Sequence, residues 1–180
     1  ELRDLAIFND DPTRRRVVEV LRRTRPDLIL TSAPSDYLCD HEATSALVRD
    51  ACFAAPAPNY DTRSPDPAPP LPALPHLYFM DPIEGKDRDG RDAAPDFLID
   101  VSAVFDRKRA LLACHASQRE WLRSHHGSDD YLLQMEEWTR RRGRLAGCAC
   151  AEGFRQYRVH PYPTSPLLQK LLAERLCQMS

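Results

Sequence analysis

The sequence predicts an α/β domain in which helices flank a mainly parallel sheet. Three observations carry that expectation. Short apolar runs at residues 27–31, 76–80 and 97–101 have strand length. Stretches with helically spaced apolar residues alternate with them. Residues 27–55 read as a strand, a short polar loop and a helix start, which is where open α/β sheets place ligands.

Each element has a local reason. Residues 2–8 carry Leu5, Ile7 and Phe8 and suit a strand. Asp10 or Asp11 can cap the next helix, with Pro12 in its first turn. Val17, Val18 and Leu21 give that helix an apolar face. Arg14, Arg15, Arg16, Arg22, Arg23 and Arg25 coat the rest as a solvated face. Pro26 stops it, and Leu28, Ile29 and Leu30 form a buried strand. Pro34 and Ser35 break the strand, and Asp40-His41 opens a helix with Ala43, Leu47, Ala51 and Cys52 inward.

Residues 56–75 are crowded with Pro and Ala and suit neither helix nor sheet. They are expected to form a long surface loop near the site mouth, with a polyproline ligand as the other reading. Residues 81–95 read as a charged loop. Ser102 can cap one long helix running through His115 toward Arg123, with Val104, Ala110 and Leu111 inward and Lys108 and Arg109 outward. His125-His126-Gly127 reads as a turn. Ser128 can cap a further helix, from Asp129 to about Arg144, with Tyr131, Leu132, Met135 and Trp138 at core spacing. Arg140, Arg141, Arg142 and Arg144 suit its solvated C-terminal end. Residues 151–158 suit a last strand, and Leu167, Leu168, Leu171, Leu172 and Leu176 a terminal amphipathic helix.

Composition narrows the function. A chain of 180 residues can bury one proper core, and residues 1–180 read as a single domain. A net charge of -2 gives no global pull toward nucleic acid or anionic lipid. No apolar run approaches the roughly 20 residues that span a bilayer. Cys39, Cys52, Cys114, Cys148, Cys150 and Cys177 are expected to be reduced and mostly buried, which suits a cytoplasmic protein. No Walker or G-x-G-x-x-G loop is present, against nucleotide binding.

Asp40-His41, beside Asp36 and Tyr37, places an imidazole next to carboxylates at the expected site. A metal ligand with an outer-shell partner is one reading, and an N-cap Asp followed by a solvated His is the plainer one. His115 in H-A-S-Q, a lone His on an expected helix, reads by itself as a hydrogen-bonded structural residue rather than a catalyst.

R-P-D-L-I-L-T at residues 25–31, S-D-Y-L-C-D-H-E at 35–42, H-A-S-Q at 115–118 and A-E-G-F at 151–154 fall in one order and spacing. In that ordered set the chain resembles the LmbE-like, or PIG-L, family of zinc-dependent N-deacetylases of amino sugars. The resemblance implies a Rossmann-like fold, zinc as cofactor and an N-acetylated amino sugar or its conjugate as substrate. It implies His41 as a zinc ligand, Asp40 as a residue orienting a neighbouring catalytic group, and His115 as the group serving the oxyanion or the leaving amine. Asp36, Tyr37, Asn59, Tyr60 and Glu152 become candidate sugar contacts, with Arg155 beside the last. The family's His-Pro-Asp-Asp motif does not occur here, and Leu38 stands where the family commonly has another His. The expectation is therefore that the fold's first strand and helix, with the other zinc ligands and the general base, are absent from this sequence. A non-catalytic remnant that binds a sugar or a partner protein is the alternative function, and a homo-oligomer is compatible with either.

Overall fold

The computed structural model describes residues 2–126 and 130–177. The expected Gly127 turn, the Ser128 cap and the helix start at Asp129 lie outside the described residues. Five strands form one mixed sheet, in the order β1-β2-β4-β3-β5, flanked by helices: β1 Leu28–Thr31, β2 His76–Met80, β3 Phe97–Asp100, β4 Ala151–Gln156 and β5 Leu176–Cys177. The α/β class holds. Within it, β1 and β2 run parallel, whereas β2–β4 and β3–β5 are antiparallel, so the sheet is mixed rather than mainly parallel. The chain divides into two compact units. One runs to Ala94 and includes Phe154–Leu171; the other holds Pro95–Gly153 and the segment from Leu172.

In the first unit, α1 spans Asp11–Thr24 and α2 spans Cys39–Ala54. The Asp10 carboxylate caps α1 by accepting from the Thr13 N–H at 2.8 Å, and Pro12 sits in the first turn, where its missing N–H costs nothing. Arg25 ends α1 in the left-handed region, its N–H returning to the Leu21 carbonyl, and Pro26 follows. Val18 and Leu21 of α1 meet Ala51 and Cys52 of α2 over Leu77 and Phe79 of β2, and Leu71 and Tyr162 complete this core. Burial pushes the Cys52 thiol up to about 12, as expected of an inert core cysteine. Cys150 is also buried, but Cys39 and Cys114 are exposed, so the cysteines as a set are less buried than expected; none is disulfide-bonded.

Three expectations fail here. Residues 2–8 form no strand. Leu5 instead turns through a positive φ of 59° and its N–H donates to Asp40. Arg22 is not solvated; it is 4% exposed, and its guanidinium donates to the carbonyls of Ala55, Ala57 and Tyr60. The terminal amphipathic helix is only α6, Leu167–Leu171, after which a short 3-10 turn leads into β5.

In the second unit, the long helix expected through His115 is two. Helix α3 ends at Ala113, and α4 starts at Ala116 and runs to His126, so His125 and His126 are helical rather than in a turn. Cys114 and His115 donate their N–H groups back to Leu111 and Leu112 in a tightened last turn, and no Gly or Pro marks the break in sequence. Ser102 does not cap α3, which begins at Phe105. Its hydroxyl accepts the Cys150 N–H at 3.0 Å, tying the end of β3 to the start of β4. The inward face of α3 is Phe105 with Leu112, not Val104, Ala110 and Leu111. Helix α5, Tyr131–Ala146, contributes Met135 to that core, and it buries Arg142, which was expected to be solvated.

Gly143 on α5 lies against the turn that leads into β4. A Cβ there would come within 2.6 Å of the Ala149 carbonyl oxygen and 2.8 Å of that of Cys148, both backbone. Gly143→Ala is therefore expected to cost about 1–3 kcal/mol, read as a lower urea midpoint, because neither helix nor turn can yield cheaply. An unchanged midpoint would contradict that packing.

Candidate functional site

The carboxyl end of β1 leads through residues 32–38 into α2. That loop folds around one buried carboxylate, Asp36, which is 4% exposed. Its Oδ1 lies 2.9 Å from His41 Nδ1 and accepts the Leu38 N–H at 3.1 Å, while Oδ2 accepts the Ile83 N–H at 3.2 Å. Two backbone N–H groups thus converge on this carboxylate beside the His41 ring. A His41 tautomer that donates from Nδ1 to Asp36 leaves Nε2 as its lone-pair nitrogen. The His41 side chain is 34% exposed, and Tyr37, itself exposed, meets the imidazole edge-on with ring centroids 5.9 Å apart.

A second layer holds this arrangement. Glu42 Oε1 accepts the Asp36 N–H at 2.9 Å. The Arg88 guanidinium grips both oxygens of Glu42, and its backbone N–H donates to Ser35 Oγ at 3.2 Å. The charged loop of residues 81–95 is thus fastened to the His41 segment at Asp36, Glu42 and Ser35. Burial pushes the Glu42 carboxyl up, but Arg88 and the Asp36 N–H outweigh it and hold Glu42 below its ordinary 4.5. A carboxyl depressed in the folded state contributes stability that is full above its unfolded value and lost as pH falls through the folded one. Glu42→Gln is expected to remove part of the acid limb of a stability-versus-pH curve measured by urea unfolding. An acid limb identical to that of the parent would show that Glu42 does not carry it.

The candidate residues fall into separate places. Asp36, Tyr37 and His41 come together. Asp40 does not join them: its carboxylate, 8% exposed, accepts the Leu5 N–H and faces the Cys39 thiol, and Leu38 occupies the N-cap position of α2. Asn59 is exposed on the loop after α2. Tyr60 packs against the α1–α2 core with the Arg15 guanidinium over its ring at 5.2 Å. His115 and Glu152 belong to the second unit. There His115 is exposed between α3 and α4, and Glu152 on β4 pairs with Lys108 at 2.7 Å. Sequence reasoning missed Glu42, Arg88 and Ser35. Glu42 was adjacent to His41, but nothing local to Arg88 signals its partner 46 residues away.

Among the described residues, no group of three or more His, Cys, Asp and Glu side chains could hold a metal. His41 alone does not fit the ion, since catalytic zinc takes about three protein ligands and a water.

The fold has known relatives. No family model matches the chain. It is 28% identical over 119 residues to 4-oxalmesaconate hydratase from Pseudomonas putida, a match covering 66% of this chain and 43% of the hydratase. The crystal structure of GalB, the 4-carboxy-2-hydroxymuconate hydratase of Pseudomonas putida, matches with a TM-score of 0.61 and 26% identity over 87% of this chain and 61% of that one. N,N'-diacetylchitobiose deacetylase from Pyrococcus horikoshii matches with a TM-score of 0.68 and 18% identity over 93% and 60%. The chain thus spans less than two thirds of each. The architecture is the LmbE-like fold of these structural neighbours. No helix among the described residues is long and apolar enough to cross a membrane.

Proposed function

We propose that this chain carries the imidazole part of a water-using catalytic centre, and that the reaction is removal of an acetyl group from an N-acetylated amino sugar or its conjugate. One observation carries the reading. His41 is held through Nδ1 by a buried carboxylate at the carboxyl end of β1, so Nε2 is the nitrogen left for chemistry. A carboxylate behind an imidazole raises its basicity and fixes its orientation, the arrangement used both for metal ligation and for proton transfer. Asp36 is the residue that orients His41, in place of a direct sugar contact. Tyr37 offers an exposed ring beside it for the apolar face of a sugar. Zinc is part of this proposal through the ordered motifs alone, with His41 as one ligand and the others from beyond the described cluster. His115 is proposed to serve the leaving amine.

A second reading rests on the sequence match to 4-oxalmesaconate hydratase. Hydration of an unsaturated polycarboxylate also needs an activated water and a held imidazole. The test presents both substrate classes to the protein with and without added zinc. Release of a primary amine from an N-acetylglucosamine conjugate, lost in His41→Ala, supports the deacetylase. Hydration of 4-oxalmesaconate without amine release overturns it in favour of the hydratase. Saturable sugar binding with no turnover of either substrate overturns both in favour of a non-catalytic binding protein.

A further inference from the structure

The first unit has a cavity at the other end of the parallel strands, where β1 and β2 begin. Its volume is about 620 Å³, within the range of roughly 300–1,000 Å³ that holds small organic ligands. Leu28 and His76, the first residues of β1 and β2, sit directly opposite each other in the sheet and form its back. The proline-rich segment Leu71-Pro72-Ala73-Leu74-Pro75 makes one wall, and Leu167 and Leu171 of α6 make another. The end of the Pro56–Pro75 stretch, read from sequence as a loop near the site mouth or a peptide ligand, therefore lines a hollow at the strand starts. His41 follows the carboxyl end of β1.

The charged and ring-nitrogen side chains of this cavity are few. Arg25, at the left-handed turn ending α1, is exposed and makes no side-chain hydrogen bond or ion pair among the described residues. Asp27 is the acid in the lining. It lies close enough to His76 to favour the charged imidazole, while Lys170 lies close enough to oppose it. Burial of the ring tips the balance, and His76 is held below its ordinary value, hence neutral at pH 7. His76 Nδ1 is buried without a partner. An unpaired buried N–H costs more than an unpaired lone pair, so the ring proton belongs on Nε2, which then presents a donor. The lining itself holds one cation, Arg25, and one carboxylate, Asp27, with a second cation, Lys170, near His76 outside it and apolar walls behind.

We propose that this cavity is a binding site for a small amphipathic monocarboxylate, its apolar body against the proline and leucine walls and its carboxylate on Arg25 and the His76 N–H. Charge complementarity selects the occupant. A neutral apolar molecule would leave Arg25 unused, and a cation would meet it.

The test is calorimetric titration of the protein with sodium octanoate, 1-octanol and octylammonium chloride. Octanoate is expected to bind saturably, and at least about tenfold more tightly than either analogue. Arg25→Asn removes the charge but keeps a residue that tolerates positive φ, so α1 stays closed. It should weaken octanoate about tenfold, while Arg25→Lys should retain most of the affinity. Leu74→Trp, checked for an unchanged circular dichroism spectrum, should fill the cavity and abolish binding. Equal affinity for all three probes, octanoate binding unaffected by Arg25→Asn, or no octanoate binding at all would overturn the proposal. So would a concentration-dependent dimer that Leu74→Trp converts to monomer, since the occupant would then be a second copy.

Discussion

Substituting alanine for His41 is expected to lower turnover about a hundred- to ten-thousandfold on whichever substrate the protein converts, the range for loss of a positioned acid–base imidazole. If His41 acts through Nε2 on the reacting atoms, as proposed, the loss should fall on kcat far more than on KM. Folding should change little. The side chain is a third exposed, and removing it leaves Asp36 with the Leu38 and Ile83 N–H groups as partners. Asp36→Asn is the companion variant. It keeps the volume but offers the imidazole a weaker and ambiguous partner, and outer-shell losses of this kind cost about 10–100-fold. If His41 works through Asp36, the double variant should be no worse than His41→Ala alone. Activity retained within a few-fold in His41→Ala, or additive losses in the double variant, would remove His41 from the chemistry.

The sequence revealed the parts of the fold that rest on local physics. Strands β1, β2 and β3 are apolar runs bounded by Pro or charge, and α1 has its cap and its Pro stop within the chain itself. It did not reveal which carboxylate serves His41. Asp40 is adjacent in sequence, but successive residues on a helix point about 100° apart. That rotation turns Asp40 toward Leu5 while His41 faces the loop, and Asp36, five residues back, reaches the ring. Arg88 is likewise one charge among many in a loop until Glu42 is placed opposite it. The break at Cys114 and His115 carries no punctuating residue, and β5 is only two residues long, too short for any periodicity to show. Arg22 illustrates the limit most plainly. It belongs to a run of arginines that pattern alone cannot tell apart, and its burial is decided by a loop 33 to 38 residues further on.

Arg22→Ala is accordingly expected to destabilise the first unit by about 3–5 kcal/mol, the largest stability loss at any of the helix α1 arginines. The guanidinium reaches the carbonyls of Ala55, Ala57 and Tyr60 at 3.0, 2.7 and 3.0 Å, closing the chain where it leaves α2. Its removal leaves a void beside the core and deprives the three carbonyls of their charged donor. Arg22→Met separates the two causes. It restores most of the volume but no donor, so a loss nearly as large as that of alanine would assign the effect to the carbonyls. Arg22→Lys keeps a charge but replaces the planar fork by a compact ammonium, which cannot span the three acceptors in the same way, and should recover part of the loss. Arg16, on the exposed side of α1, is the control, and Arg16→Ala should stay within about 0.5 kcal/mol. Urea unfolding followed by circular dichroism measures all four variants. A loss at Arg22 no greater than at Arg16 would mean that the loop after α2 holds its course without the guanidinium.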